Sequence, residues 1–214
     1  MPLPKVIFFD AVGTLFGVRG SVGAVYADLA KRFGVTVDAA AVDRAFFKSF
    51  KAATPMAFPG TDPTEIPDRE YAWWWAIAAE TFQEVGVLNQ FADFSAFFSA
   101  LYDHFASADP WFVYADTLAT LAQWGDRGIE LGVLSNFDSR IHSVLEALDL
   151  APYFSSVTIS TEAGVSKPDA RIFQLALKKH DCPPEAAWHV GDSFREDYEG
   201  ATQAGLRGIW LKRE

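Results

Sequence analysis

Three short, mostly apolar runs in this sequence end abruptly at polar residues, and this pattern restricts the fold more than any other feature. An apolar run of this length is typical of a strand that is buried on both faces of a sheet. Because the carboxyl ends of parallel strands lie at one edge of a sheet, we expect the polar residues to meet there. The runs with their terminal residues are 5–9 with Asp10, 130–134 with Ser135 and Asn136, and 187–190 with Gly191 and Asp192.

Segments with helical spacing alternate with strands in the second half of the chain. The predicted helices are 118–124, 141–148, 170–179 and 197–204, and two further predicted strands are 156–160 and 208–211. Strands separated by helices indicate a parallel sheet with helices on both faces. The predicted fold class is therefore α/β, with a doubly wound parallel sheet.

The first half of the chain has a different pattern, because nothing between about residues 21 and 105 alternates with the period of a strand. The predicted helices there are 22–33, 37–53, 68–85 and 91–105, and the proline-rich segment 54–67 is a predicted loop. We expect a helical bundle inserted after the first strand. The predicted division is a core of 1–16 plus 107–214 and a helical cap of 17–106.

Composition argues against several classes of protein. The formal net charge is -10 without a cluster of Lys and Arg, so we expect no binding to nucleic acid. No apolar run reaches the roughly 18 residues of a membrane helix, and no secretory pattern precedes the first strand. The single cysteine, Cys182, excludes an intrachain disulfide. We expect a cytoplasmic monomer or homodimer that acts on a small molecule.

Each candidate residue also has a simple structural explanation. Asp10 could cap a turn, Lys167 could be a solvated surface lysine, and Asp192 could cap the helix that follows it. His189 lies inside an apolar strand and is predicted to be a packed core histidine outside the site. A functional interpretation therefore depends on several segments considered together.

Four motifs in their order make the sequence similar to the haloacid dehalogenase-like hydrolases, in particular to the branch with a helical cap after the first strand. The motifs are Asp10-Ala11-Val12-Gly13-Thr14-Leu15, Ser135-Asn136, Lys167-Pro168, and Gly191-Asp192-Ser193 through Asp197 to Ala201. The resemblance covers the chain from end to end. It implies the Rossmann-like core of that family and a hydrolytic activity.

The resemblance also implies a nucleophile and a metal site. Asp10 would attack phosphorus and form an aspartyl-phosphate. Mg²⁺ would be held by the Asp10 carboxylate, the backbone carbonyl of Val12 and the carboxylate of Asp192. Asp197 would be a further ligand or an outer-shell acceptor that orients water.

Four other residues of the motifs would act on the transferred group. The resemblance implies that Lys167 neutralises Asp10 and the phosphoryl group. It also implies that Thr14, Ser135 and Asn136 donate hydrogen bonds to phosphoryl oxygens. The expected activity is that of a Mg²⁺-dependent phosphatase acting on a small phosphorylated metabolite.

Val12 departs from the pattern of the family's phosphatases, which usually carry a second Asp two residues after the nucleophile. That residue protonates the leaving oxygen and then activates water, whereas valine has no proton to give. General acid–base assistance is worth ~10²–10⁴-fold, so we expect a slow phosphatase. Substrates with good leaving groups would be affected least.

Two alternatives remain open at the level of the sequence. The family's haloacid dehalogenases also lack the second Asp and need no metal, although the Gly191-Asp192 pair favours a metal. A degenerate member could instead bind a phosphorylated ligand or a protein partner, with Trp73-Trp74-Trp75 as an interaction surface.

Overall fold

The computed structural model describes residues 3–213, which divide into two compact units. The first unit contains the chain up to Gly17, Met56–Ile66 and the chain from Val113 onward. The second unit contains Val18–Pro55 and Pro67–Phe112. The main difference from the sequence-based division is that Met56–Ile66 belongs to the first unit, although it lies inside the predicted cap segment 17–106.

Seven strands are present in the described chain, and five of them form one parallel sheet. The strands are β1 (Val6–Phe9), β2 (Phe16–Val18), β3 (Trp111–Val113), β4 (Glu130–Ser135), β5 (Ser156–Ile159), β6 (Ala187–Gly191) and β7 (Arg207–Trp210). The order in the sheet is β5-β4-β1-β6-β7, and all four pairings are parallel. The chain winds outward from β1 in both directions, which confirms the predicted α/β class.

The central strand β1 is buried along its whole length. Phe8 is fully buried and packs closely over Gly132 of β4, where an added Cβ would lie 2.8 Å from the Phe8 ring. This close approach leaves no room for a side chain at residue 132. A buried, centrally placed β1 therefore presents Asp10 at the carboxyl edge of the sheet.

Helices on the faces of the sheet complete the first unit. They are α5 (Thr117–Gly125), α6 (Ile141–Ala147), α7 (Ser160–Ala163), α8 (Ala170–Lys179) and α9 (Gly200–Gln203). The predicted helix over 197–204 has a different form, because a π-helix at Phe194–Glu199 precedes the short α9. A π-helix has a wider turn than an α-helix, so different side chains share a face.

Four long helices lie in the region predicted to be helical. They are α1 (Val22–Arg32), α2 (Ala39–Ala52), α3 (Ile66–Glu84) and α4 (Phe94–His104). Ser21, Asp38 and Asp93 cap α1, α2 and α4 by accepting backbone hydrogen bonds. The third helix begins at Ile66, two residues before the predicted start at Asp68.

The second unit is held together by an aromatic core. Phe82 of α3 is fully buried, and its ring centroid lies 5.1 Å from those of Phe91 and Phe97. Trp73 and Trp74 pack against this core, whereas Trp75 is 41% exposed. Most of the tryptophan run therefore serves packing, which leaves little of it for an interaction surface.

The sequence did not predict a second, smaller sheet. The strands β2 and β3 form a separate two-stranded sheet at the points where the chain passes between the two units. No helix among residues 3–213 combines the length and apolar character that a membrane crossing requires.

We expect Phe82→Ala to lower the free energy of unfolding of the helical unit by about 3–5 kcal/mol, because a fully buried phenyl ring leaves a cavity. Urea denaturation followed by circular dichroism measures this change. The control is Glu80→Ala, an exposed position on the same helix, which should change stability by less than about 0.5 kcal/mol. A loss below about 1 kcal/mol for Phe82→Ala would contradict the role of this core.

Candidate active site

Three carboxylates meet at the carboxyl edge of the sheet. Asp10 follows β1, Asp192 follows β6, and Asp197 lies in the π-helix at Phe194–Glu199. One oxygen of each lies within 4.8 Å of one oxygen of the other two. Asp10 and Asp197 are buried, whereas Asp192 is exposed. The structure thus brings together three of the predicted metal-site residues, which are up to 187 positions apart in sequence.

Strand register and two glycines explain why these carboxylates can approach so closely. Asp10 N donates to Val190 O at 2.9 Å, which continues the β1–β6 ladder to the candidate site. Gly13 has φ +88°, and a Cβ there would lie 2.5 Å from Asp192 Oδ2. A Cβ on Gly191 would lie 2.1 Å from Asp197 Cγ. Each carboxylate therefore occupies space that a side chain would fill.

Lys167 is buried and contacts two of the three carboxylates. Its Nζ donates to Asp10 Oδ1 at 2.7 Å, to Asp197 Oδ1 at 2.5 Å and to Leu134 O at 3.0 Å. Burial alone would lower the pKa of Lys167, but the charges of Asp10 and Asp197 outweigh it and raise the pKa above its ordinary value. The ammonium is therefore charged at any physiological pH, with all three of its protons donated.

The Asp197 carboxylate accepts hydrogen bonds from three groups. Besides Lys167, it accepts from His189 Nε2 at 2.9 Å and from Ser193 N at 2.9 Å. Burial would raise the pKa of Asp197, but the charge of Lys167 and the hydrogen bond from His189 hold it well below its usual range. Asp197 is thus an ionised, fully hydrogen-bonded group.

His189 has a role that the sequence did not reveal. It was predicted to be a packed core histidine outside the site, and it is indeed completely buried. Its contact with Asp197 nevertheless makes it part of the site's support. Burial lowers the pKa of His189, so the ring is neutral and Nε2 carries the proton that Asp197 accepts. The only signal in the sequence was a polar residue inside an apolar strand.

Ser135 and Asn136 differ in what they contact. Ser135 Oγ donates to Asp10 Oδ1 at 2.9 Å. The Asn136 side chain accepts from Lys167 N at 2.7 Å and donates to Lys167 O at 3.0 Å, so it clamps the backbone of that residue. Its Nδ2 also lies 3.3 Å from Glu196 Oε2. Asn136 therefore positions Lys167, and Glu196 is a site neighbour that the motifs did not single out.

Thr14 and Val12 lie in the loop after β1. The Thr14 side chain is buried, and its hydroxyl has no hydrogen-bond partner among residues 3–213. Val12 is half-buried and forms an isolated bridge with Phe16. The Gly13 N donates to Phe16 O at 2.8 Å, which closes the loop beside Asp10. An unpaired buried hydroxyl is consistent with a ligand that would supply its partner.

The oxygen atoms left unpaired suit a hard divalent cation. Asp10 Oδ2 and both carboxylate oxygens of Asp192 accept no hydrogen bond from another residue in the described part of the chain. Asp192 is the most exposed of the three carboxylates, but the surrounding protein still keeps water from part of it. This partial burial, together with the charges of Asp10 and Asp197, raises the pKa of Asp192 to about 6. Carboxylate oxygens are the ligands that Mg²⁺ prefers in proteins, so these residues fit such an ion.

Known proteins resemble this chain over most of its length. The family described as haloacid dehalogenase-like hydrolase matches residues 4–205. Haloacid dehalogenase-like hydrolase domain-containing protein 3 of Bos taurus is 35% identical over 209 residues, covering 96% of this chain and 80% of that protein. Phosphoserine phosphatase of Thermus thermophilus is 39% identical over 102 residues, covering 47% of this chain and 41% of that protein. The solved structure of a dehalogenase is similar with a TM-score of 0.68 at 21% identity, covering 99% of this chain and 86% of that one.

We expect Gly191→Ala to destabilise the protein by about 1–3 kcal/mol, because its Cβ would displace Asp197 from Lys167 and His189. The matched control is Gly125→Ala in α5, where an added Cβ meets nothing within 4 Å. That change should be neutral or stabilising by up to about 1 kcal/mol. Equal stabilities of the two variants in urea denaturation would contradict the close packing of Asp197 on β6.

Proposed function

Since the chain belongs to the haloacid dehalogenase-like hydrolases, we propose that it is a Mg²⁺-dependent phosphatase that forms an aspartyl-phosphate on Asp10. Its substrate would be a small phosphorylated metabolite. The relation to a phosphoserine phosphatase supports this class of reaction. A cytoplasmic location and a monomeric or homodimeric state stay predictions from the sequence.

One observation supports the proposal most strongly, namely the meeting of Asp10, Asp192 and Asp197 within 4.8 Å around a buried lysine. Like charges this close are costly unless a cation is shared between them. We propose that Asp10, Asp192 and the backbone carbonyl of Val12 hold Mg²⁺. Asp197 would be an outer-shell acceptor, because Lys167, His189 and Ser193 already occupy its oxygens. When bound, the ion would offset the negative charge of the phosphoryl group.

Asp10 has the contacts expected of a nucleophile. Lys167 and Ser135 fix Oδ1 and so hold the carboxylate in one orientation. In the attack, one carboxylate oxygen of Asp10 bonds to phosphorus as the bond to the leaving oxygen breaks, and the leaving oxygen takes its proton from solvent water. Water then hydrolyses the acyl phosphate, which releases inorganic phosphate and restores the carboxylate. Lys167 stabilises the negative charge in both steps without moving.

Thr14, Ser135 and Asn136 would assist in different ways. We propose that the Thr14 hydroxyl donates to a phosphoryl oxygen, since it has no partner among residues 3–213. The Ser135 hydroxyl would do the same only after it turns away from Asp10 Oδ1, to which it now donates its single proton. A phosphoryl contact from the Asn136 amide would require it to release Glu196 or Lys167 O. We therefore assign Asn136 chiefly to the positioning of Lys167.

A dehalogenase is the second candidate, and Val12 is the observation that favours it. Displacement of halide needs no acid, so a valine at residue 12 would cost such an enzyme nothing. Against it, Asp192 places a further carboxylate close to Asp10 and Asp197, and its charge would repel the carboxylate of a haloalkanoate. Because nearby negative charges repel each other, the phosphatase is the better proposal.

We expect the protein to release phosphate from 4-nitrophenyl phosphate in the presence of Mg²⁺. Chelation with EDTA should abolish the release, and Asp10→Asn should reduce it to background because the nucleophile is lost. The matched control is Asp126→Asn, an exposed carboxylate outside the site that should keep full activity. Phosphate release is measured by a colorimetric assay.

Two results would argue against the phosphatase. Chloride release from 2-chloropropionate that needs no metal would identify a dehalogenase. An absence of both activities, combined with thermal stabilisation by a phosphate ester, would identify a phosphate-binding member that turns over little.

We expect Val12→Asp to accelerate phosphate release by at least about tenfold, because it restores an acid and base next to Asp10. Val12→Asn is the control, since it has nearly the same shape as aspartate without a proton to transfer. A gain in both variants would indicate a polar effect rather than acid–base catalysis. No gain in either would mean that residue 12 does not face the leaving oxygen.

A further inference from the structure

Three exposed aromatic side chains lie together in the first unit, and we refer to Phe194, Tyr198 and Trp210 as the aromatic patch. Phe194 contacts each of the other two. Their exposed fractions are 45%, 37% and 42%. The ring centroids of Phe194 and Tyr198 are 5.3 Å apart, and those of Phe194 and Trp210 are 4.9 Å apart. Single exposed aromatic residues are ordinary, whereas three neighbouring aromatic rings offer apolar faces against which another aromatic ring can pack.

The aromatic patch is connected directly to the candidate metal site. Trp210 Nε1 donates to the backbone oxygen of Asp192 at 3.0 Å. Trp210 also pairs with Gly191 in the β6–β7 ladder, so both strands end at the same edge of the sheet. Phe194 follows Asp192 by two residues at the start of the π-helix. The aromatic patch therefore lies at the same edge of the sheet as Asp192, and Trp210 contacts the backbone of that residue.

A cation lies beside the aromatic patch. Lys212 Nζ is 4.2 Å from the centroid of the Trp210 ring, a distance at which a cation–π contact forms. The ammonium places positive charge next to the aromatic rings in a protein whose formal net charge is -10. An anionic ligand with an apolar ring is better matched to this surface than a neutral or cationic one.

We propose that the aromatic patch binds a flat aromatic group carried by the leaving part of the substrate. The substrate class would then be phosphate monoesters of aromatic alcohols, held by the phosphate at Asp10 and by the ring at Phe194 and Trp210. This inference rests on the proposed phosphatase function. It is also chemically consistent with Val12, because aromatic alcohols leave from phosphorus with little need for an acid.

A second copy of the chain is a less suitable occupant of the aromatic patch. Three aromatic side chains at these exposures offer roughly 250 Å² of surface. A stable dimer buries about 800 Å² per partner, so the patch is too small by itself. The ammonium of Lys212 lies against Trp210, which suits a small ligand better than an apolar interface between two copies.

Binding without turnover tests the proposal. In Asp10→Asn protein with Mg²⁺, calorimetry would measure the dissociation constants of phenyl phosphate and methyl phosphate. We expect phenyl phosphate to bind at least about tenfold more tightly, because an aromatic ring stacks on the patch. Adding Phe194→Leu or Trp210→Leu should reduce the preference below about threefold. Phe194→Leu is the cleaner change, since Trp210 also supports Asp192.

The matched control is Trp75→Leu, which removes a tryptophan of equal exposure from the helical unit and should keep the preference for phenyl phosphate. Equal affinities for the two esters would overturn the aromatic subsite while leaving the phosphatase intact. Failure of both esters to bind would overturn the phosphatase and the subsite together. A dimer that dissociates in Phe194→Leu, seen by light scattering, would assign the patch to a second copy and overturn the proposal.

Discussion

The buried ammonium of Lys167 is the constraint on which the arrangement of the site depends. Its side chain is 1% exposed, and a charge so enclosed costs several kcal/mol unless it is paired and fully hydrogen-bonded. The three acceptors, Asp10, Asp197 and Leu134 O, come from three distant parts of the chain. Satisfying one lysine therefore fixes the ends of β1 and β4 and the π-helix relative to one another.

The π-helix at Phe194–Glu199 also contributes to pairing Lys167, because it carries Asp197. Asp197 reaches Lys167 and His189 from this helix, and it lies against Gly191, where any side chain would occupy its position. Ser193 N donates to Asp197 Oδ2, so the carboxylate also closes the turn that carries it. A wide helical turn is a local irregularity that surrounding contacts must stabilise, and such turns are frequent at functional sites. Here the buried ion pair supplies that stabilisation.

The sequence predicted the meeting of Asp10 and Asp192 because the carboxyl ends of parallel strands must lie at one edge. It did not predict the contact of His189 with Asp197. The period of a strand indicates which face of the sheet a side chain is on, but not which residue of a neighbouring helix it contacts. The segment 56–66 has no regular hydrophobic period, so its place in the first unit depends on tertiary packing. One such contact is that of Pro59 with Gly164, where an added Cβ would lie 3.3 Å from Pro59. Local patterns therefore predicted the strands and the site edge, whereas contacts between distant segments remained undetermined.

The charge of the site explains why the lack of an acid at residue 12 does not by itself favour a dehalogenase. Three carboxylates against one ammonium leave a formal charge of -2, and the buried His189 adds nothing because its pKa is lowered. The pKa of Asp192, raised to about 6 by burial and by Asp10 and Asp197, reflects this excess. Any anionic substrate is repelled by such a site unless a cation is shared with it. A divalent ion would neutralise the excess negative charge and attract a phosphate to the same place. A metal-free site would have to bind an anion despite that negative charge.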